Sequence, residues 1–176
     1  MSITVSQLRD ELADREAIRD CLYRYSRGVD RLDEEMVRSA YWPDAIDNHL
    51  EFKGNVEEFI AWGFPLMRQM DQTMHIIANV MIRLVGDKAN VESYFYGIHR
   101  VKFGDKPSDA IGAGRYLDRF ERRNGEWRIA NRIVMTDWFR EYPDSADWTK
   151  GPFGMKDVPT GARYPEDKSY TWLKLR

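Results

Sequence analysis

The chain has 176 residues, enough for one domain with a continuous core. Its 27 basic residues are balanced by 29 acidic ones and its pI is near 6.0, so no basic surface is expected to hold a nucleic-acid backbone. A single cysteine, Cys21, cannot form an internal disulfide, and the lack of a long apolar run argues against a signal peptide or a membrane span and favours a cytoplasmic protein.

The chain begins with a strong helix signal. Thr4 and Gln7 have the spacing of a capping box, and apolar residues then recur at near-helical steps over residues 6–30. Asp33, followed by two glutamates, is typical of an N-cap. It predicts a short second helix that ends before Pro43.

A third helix is predicted over residues 55–69, with an interruption at Gly63 and Pro65. From about residue 73 the apolar period changes to two, which is typical of β-strands. Asn124 and Gly125 form a two-residue hairpin signal. The predicted strands span residues 73–85, 90–103, 110–123 and 126–139.

Helices followed by a meander of strands favour an α+β domain, in which a mostly antiparallel sheet curls around the helices. We expect this domain to span residues 1–142. Residues 143–176 are rich in proline and glycine but also contain Trp148, Phe153 and Tyr164. These aromatic residues predict that the tail packs on a protein surface and is not a free linker.

Two histidines lie on apolar faces of the predicted strands. His75 shares a face with Ile77 and Asn79, and His99 shares a face with Phe95. A single histidine on such a face is more often a core residue with satisfied hydrogen bonds. Two histidines together with a carboxylate make a binding or catalytic site the better interpretation, with Asn79 and Phe95 as substrate-binding residues.

Asp30 is the candidate carboxylate. It lies in the last turn of the first helix, where the macrodipole disfavours a negative charge by roughly 0.3–1 kcal/mol, although a solvated helix end is an equally simple interpretation. In the functional interpretation Asp30 fixes the tautomer of His75, and His75 acts as the base. Tyr25 precedes Asp30 by five residues, which places it roughly 140° away on an ideal helix, so it is a candidate proton donor or a core residue.

Three arginines, Arg115, Arg132 and Arg140, are candidates for stabilising an anion in the substrate, and strand parity alone does not choose among them. Arg115 and Arg132 are the two taken as site residues. A metal site is not expected. His49, His75 and His99 are the only histidines, none has close paired spacing, and there is no cysteine cluster. The sequence therefore predicts no metal site.

Four short motifs together are typical of one superfamily: Tyr25-x4-Asp30, Thr73-Met74-His75, Gly114-Arg115-Tyr116 and Arg122-Arg123-Asn124-Gly125-Glu126-Trp127-Arg128-Ile129. On these motifs the sequence resembles the nuclear-transport-factor-2-like superfamily, in its SnoaL-like (polyketide cyclase-like) branch, over about residues 6–140. The aspartate and the histidine match the dyad of the cofactor-free lyases of this branch, among them scytalone dehydratase, bile-acid 7α-dehydratase and hexachlorocyclohexane dehydrochlorinase, so the resemblance also implies that no cofactor is needed. His99 falls where scytalone dehydratase has a second histidine.

The resemblance implies a cone-shaped α+β barrel with a deep pocket between the sheet and the helices. It also implies a homo-oligomer, with a trimer favoured over a dimer, and a C-terminal tail that covers the pocket or reaches a neighbouring subunit. In such a site His75 would remove a proton, while Tyr25 and His99 would bind or protonate the departing oxygen.

The predicted function is a cofactor-independent lyase of the dehydratase type that acts on a hydroxylated aromatic or polycyclic small molecule. The same dyad would also suit the release of formaldehyde from a lignin-derived aromatic diol, or an isomerisation or cyclisation. Two non-catalytic roles stay open: the small subunit of a ring-hydroxylating dioxygenase, and a ligand-binding module. Neither nucleic acid nor membrane is an expected partner.

Overall fold

The computed structural model describes residues 4–103, 106–143, 150, 154 and 159–173. All three predicted helices and all four predicted strands are present. The helices are α1 (Val5–Arg31), α2 (Glu34–Ala40), α3 (Val56–Met67) and α4 (Lys168–Trp172), and the strands are β1 (Tyr41–His49), β2 (Phe52–Gly54), β3 (Gln72–Val85), β4 (Lys88–Phe103), β5 (Lys106–Arg123) and β6 (Glu126–Pro143).

The helix boundaries follow from local capping. The Thr4 side chain accepts a hydrogen bond from the backbone N–H of Gln7, and the Gln7 side chain accepts one from the backbone N–H of Thr4, which confirms the predicted capping box. Asp33 caps α2, as predicted. The predicted interruption of α3 at Gly63 is wrong, because the helix continues through Gly63 and contains Pro65 close to its end.

The strands form one sheet in the order β2-β1-β6-β5-β4-β3. All neighbouring pairs are antiparallel except β1 with β6. The sequence pattern did not predict β1 and β2. Pro43 lies inside β1, and the pairing of β1 with β6 shifts register between Tyr41 and Ile46, so the alternating pattern that marks a strand is interrupted there.

The sheet is curved, which confirms the predicted α+β cone with a mostly antiparallel sheet. Bulges interrupt the ladders between Ala78 and Met81 in β3 and at two places between β5 and β6, and a bulge bends the strand that carries it. The core contains side chains that are at most 2% exposed from α1, α2, α3 and the sheet: Ile18, Leu22, Tyr25, Val37, Phe64, Tyr116, Phe120 and Ile129.

Residues 159–173, here called the C-terminal segment, pack on the C-terminal end of α1. The backbone N–H of Tyr164 donates to the carbonyl oxygen of Arg31 at 2.6 Å, and the hydroxyl of Tyr170 donates to Asp33 at 2.9 Å. The predicted tail residues Trp148 and Phe153 lie outside the described residues. No helix in the described ranges combines the length and the apolar character needed to cross a bilayer.

Candidate active site

The structure joins Asp30 and His75 through two hydrogen bonds. His75 Nδ1 lies 2.7 Å from Asp30 Oδ1, and the backbone N–H of His75 donates to Asp30 Oδ2 at 2.8 Å. Because a carboxylate only accepts, the proton of a neutral His75 ring is assigned to Nδ1, which leaves Nε2 with a lone pair. The two side chains keep 12% and 11% of their surface accessible. The pair therefore has the arrangement of an oriented base.

The charge on Asp30 is set by two opposing effects. Burial alone raises the pKa of its carboxyl group. The hydrogen bonds from the ring and backbone of His75, together with the positive charge of Arg31, outweigh that effect and lower the pKa below its usual value. Asp30 is thus an anion at neutral pH, and its charge favours the protonated form of the neighbouring imidazole.

Arg163, from the C-terminal segment, connects the two elements that carry the dyad. Its Nη1 group contacts the carbonyl oxygen of Asp30 and donates to Thr73 Oγ1 at 2.7 Å. Asp30 lies in the last turn of α1, where backbone carbonyls have no helical partner, so a cation here is doubly favourable. Arg163 therefore holds the end of α1 against the start of β3.

His99 lies beside the dyad. Its ring is edge-on to that of His75, with 5.1 Å between the ring centroids. Burial, and then the nearby charge of His75, lower the pKa of His99 to about 4, so this imidazole is neutral at neutral pH. Phe95 is on the same strand and stacks on Tyr116 at 4.7 Å, so two of the predicted site residues, His99 and Phe95, share the inner face of the sheet with His75.

Gly97 keeps space open in front of the two histidine rings. It pairs with His75 in the register of β3 and β4. A Cβ at this position would lie 3.2 Å from His75 Nε2 and 3.0 Å from His99 Cε1, closer than ordinary van der Waals contact. Its cross-strand neighbour Gly112 has open space around the corresponding position. The sequence contained no signal for this role, because it depends on the pairing of two distant strands.

Arg132 and Tyr25 belong to a closed polar cluster in the core. The Arg132 guanidinium binds both oxygens of Asp118 at 2.7 Å and lies between the rings of Tyr25 and Tyr116, at 4.2 and 4.1 Å. Arg132 is 0% exposed and Tyr25 is 2% exposed. Burial raises the pKa of the Tyr25 phenol well above its usual value, opposed by the charge of Arg132. Within the described residues, neither hydrogen-bonds to the dyad.

Two predicted site residues, Asn79 and Arg115, are not at the site. Asn79 lies in the β3 bulge with φ 47°, and this extra residue reverses the alternation, so that Asn79 is exposed and Val80 packs on the core. Arg115 is on the outer face of β5, because its neighbour Tyr116 points inward. Its guanidinium binds Asp137 and Glu92 there, away from the inner face. The structure therefore does not bring Asn79 or Arg115 together with the dyad.

The third histidine is His49, for which the sequence suggested no role apart from that of a metal ligand. Its ring packs against Phe59 and Trp62, with centroids 5.5 and 6.1 Å apart. Burial, and then the charges of Arg132, His75 and His99, lower its pKa to about 3. The His49 imidazole is therefore neutral at neutral pH. In the described part of the chain, no three His, Cys, Asp or Glu side chains group as metal ligands would.

Comparison with known proteins shows the family of the chain. The SnoaL-like domain model matches residues 10–133, which is more than half of the chain. The protein belongs to the SnoaL-like family. This family lies within the nuclear-transport-factor-2-like superfamily, as the resemblance in the sequence predicts.

Similarity to individual members of the SnoaL-like family is weaker. The gamma-hexachlorocyclohexane dehydrochlorinase of Sphingobium indicum is 26% identical over 134 residues, which cover 74% of this chain and 85% of that enzyme. The crystal structure of LinA has a TM-score of 0.69 at 24% identity and covers 78% of this chain and 94% of that one. A putative scytalone dehydratase from Novosphingobium aromaticivorans has a TM-score of 0.67 at 23% identity, over 75% and 89% of the two chains. The two structures support the fold of this SnoaL-like chain.

Proposed function

We propose that the protein is a cofactor-independent lyase of the dehydratase type, in which His75 removes a proton from a hydroxylated aromatic or polycyclic small molecule. The observation that carries this proposal is the Asp30–His75 pair: both oxygens of the carboxylate are bound to His75, and Nε2 of the ring makes no hydrogen bond among the described residues. A base held in this way typically accelerates proton transfer by about 10²–10⁴-fold.

The proposed reaction is an elimination. His75 Nε2 takes a proton from a carbon atom of the substrate, the electron pair of that C–H bond forms a double bond, and the neighbouring hydroxyl leaves. The hydroxyl departs as water with a proton returned from the imidazolium, so the step needs neither an oxidant nor a reductant. In this proposal His99, whose ring packs edge-on against that of His75, holds the leaving oxygen.

A second candidate is elimination of a halide by the same base. The observation that favours it is the 26% identity to a dehydrochlorinase, whose name implies loss of hydrogen chloride. Both reactions begin with proton abstraction by His75 and differ only in the leaving group. The base is the same in both reactions, so the leaving group of the substrate decides which of the two takes place.

The test is mass spectrometry of a pooled panel of hydroxylated aromatic, polyketide, steroid and chlorinated cyclic compounds incubated with the protein, without added cofactor or metal. Loss of the mass of water from one compound supports the dehydratase. Loss of hydrogen chloride supports the second candidate, and loss of formaldehyde supports a carbon–carbon lyase. If compounds bind but none changes mass, an isomerase or a binding module replaces the proposed lyase.

We further propose that the protein is a homo-oligomer, with a trimer favoured. Large apolar side chains on the outer face of the sheet are between 40% and 55% exposed, among them Met74, Ile76, Tyr94 and Met135. Exposed apolar side chains gathered on one face of a sheet commonly mark a protein interface. Light scattering after size-exclusion chromatography is expected to give three times the 20.8 kDa chain mass, whereas a mass of one chain would contradict the proposal.

A further inference from the structure

A second aspartate and histidine lie on β1, across the cone from β3. Asp47 and His49 are two residues apart on one strand, so their side chains point to the same face. Asp47 pairs with Arg132 in the parallel register of β1 and β6. Its side chain is completely buried, whereas His49 keeps 20% of its side-chain surface accessible.

Asp47 is the end of a buried chain of hydrogen bonds. Arg132, bound to Asp118, donates from Nη1 to the hydroxyl of Tyr41 at 3.2 Å. That hydroxyl donates to Asp47 Oδ2 at 2.6 Å. The other oxygen, Asp47 Oδ1, is buried and has no partner among the described residues. The series of hydrogen bonds therefore ends at a carboxylate, one oxygen of which is bound by no described residue.

The ring nitrogen of His49 that lies nearest to Asp47 also lacks a hydrogen-bond partner among the described residues. His49 Nδ1 is buried, has no partner in the described ranges, and lies 3.8 Å from Asp47 Oδ1, which is too long for a hydrogen bond. Buried polar atoms are nearly always paired in native proteins. Two unpaired atoms 3.8 Å apart can both bond to a single oxygen that approaches from beside the line joining them.

We propose that Asp47 and His49 bind a hydroxyl group of the substrate, which donates to Asp47 Oδ1 and accepts from His49 Nδ1–H. This inference rests on the proposed function, because it places the same substrate between β1 and the dyad on β3. The two atoms are closed to solvent in the free protein, so the His49 ring turns as the hydroxyl enters. The rings of Phe59 and Trp62, which pack on His49, form the wall for the aromatic part of the molecule.

The chemistry of the two atoms narrows the substrate class. Asp47 Oδ1 is an acceptor, so the bound group must bring a hydrogen-bond donor. A carboxylate or a halogen offers none and would leave this oxygen unpaired, and a carboxylate would also be repelled. A phenol or an alcohol satisfies both atoms. The substrate therefore carries a hydroxyl at the end opposite to the atom that His75 deprotonates, unlike a purely chlorinated ring.

Binding of a matched pair of probes tests this inference on the full-length protein at pH 7.5. The probes are 4-methylphenol and toluene, which differ by one hydroxyl, and ligand-observed NMR titration gives the two dissociation constants. The wild-type protein is expected to bind 4-methylphenol at least tenfold more tightly than toluene, because a site built for a hydroxyl rejects the analogue that lacks it. His49→Phe, which keeps the packing on Phe59 and Trp62, is expected to lower this ratio to about one while toluene still binds.

Two further variants locate the hydroxyl. Asp47→Asn is expected to reduce the ratio, and it replaces the result from His49→Phe should that variant fail to fold. His75→Gln is expected to keep the wild-type ratio. Equal affinities or no binding in the wild type would overturn the inference, and so would a ratio lost in His75→Gln but kept in His49→Phe. These experiments measure binding and not turnover. If no compound in the mass-spectrometry panel is converted, the proposed lyase fails, but the binding ratios still show whether Asp47 and His49 hold a hydroxyl.

Discussion

Two buried acid–base pairs lie in the same cone, and they differ in how much of their hydrogen-bonding capacity the protein itself uses. In the Arg132–Asp118 pair both side chains are 0% exposed, the contact is bidentate, and two tyrosine rings cover the guanidinium. In the Asp30–His75 pair both carboxylate oxygens accept hydrogen bonds, but Nε2 of the histidine ring makes no hydrogen bond among the described residues.

This difference separates stability from chemistry. A closed pair holds two strands and a helix together, since each charge is compensated by the other and by its neighbours. An open pair leaves one atom to react, while the rest of its hydrogen bonds keep that atom in place. Substitutions in the two pairs should therefore change different observables.

The largest expected effect is on the open pair. His75→Gln should lower turnover of the compound identified in the panel by about 10²–10⁴-fold, because the base is lost. The midpoint of urea unfolding should change little, since glutamine keeps a donor for Asp30. Turnover at the wild-type rate would show that His75 is not the base. Unfolding of the variant under native conditions would show that the Asp30–His75 pair is needed for stability, as the Arg132–Asp118 pair is.

The closed pair should respond in the opposite sense. Arg132→Met leaves Asp118 buried without its counter-charge and should reduce the free energy of unfolding by about 3–5 kcal/mol, measured by urea unfolding at pH 7.5. The control is Arg115→Met, which removes an arginine that binds two carboxylates on the outer face. That variant should barely move the midpoint, as exposed ion pairs contribute little. Equal losses in both variants would contradict the account.

A smaller effect is expected for His99, whose pKa is lowered to about 4. Below pH 6.5 the unfolded chain protonates this histidine while the folded protein keeps it neutral, so the unfolded state binds more protons and stability falls as the pH is lowered. Between pH 7.5 and pH 4.5 this histidine should account for about 2 kcal/mol of lost stability. Urea unfolding of wild type and His99→Gln at the two pH values measures it, and identical losses would refute it.

The smallest effect should come from Gly97. A methyl group in Gly97→Ala would press on His75 Nε2 and His99, and should reduce turnover about tenfold without loss of fold, because small displacements of a catalytic group are costly. Gly112→Ala is the matched control, since a Cβ there meets open space on the neighbouring strand. If both variants keep full turnover, the space in front of His75 is not used in the reaction.

The sequence predicted those parts of the molecule that depend on local rules. The caps at Thr4 and Asp33 and the alternating pattern of β3 to β6 were sufficient to predict α1, α2 and those four strands. β1 was missed because Pro43 and a register shift interrupt its alternation, and its two functional candidates were missed with it. Asn79 was misplaced because a bulge changes strand parity without leaving a pattern in the sequence.

The dyad itself was predictable only in part. Asp30 and His75 are 45 residues apart. Their spacing in the sequence does not predict a contact, and the pairing was predicted from the resemblance to a family. Gly97 and Arg163 act through strand register and through the packing of the C-terminal segment. No local pattern encodes either contact, so they could be found only in the folded chain.

The most direct test of the open pair is the tautomer of His75, read from the ¹⁵N chemical shifts of its ring in long-range ¹H–¹⁵N NMR spectra of the free protein. The hydrogen bond to Asp30 requires the proton of the neutral ring on Nδ1, with a bare lone pair on Nε2. That spectrum would establish a base ready to accept a proton from a substrate. A neutral ring with its proton on Nε2 would show that His75 cannot be that base.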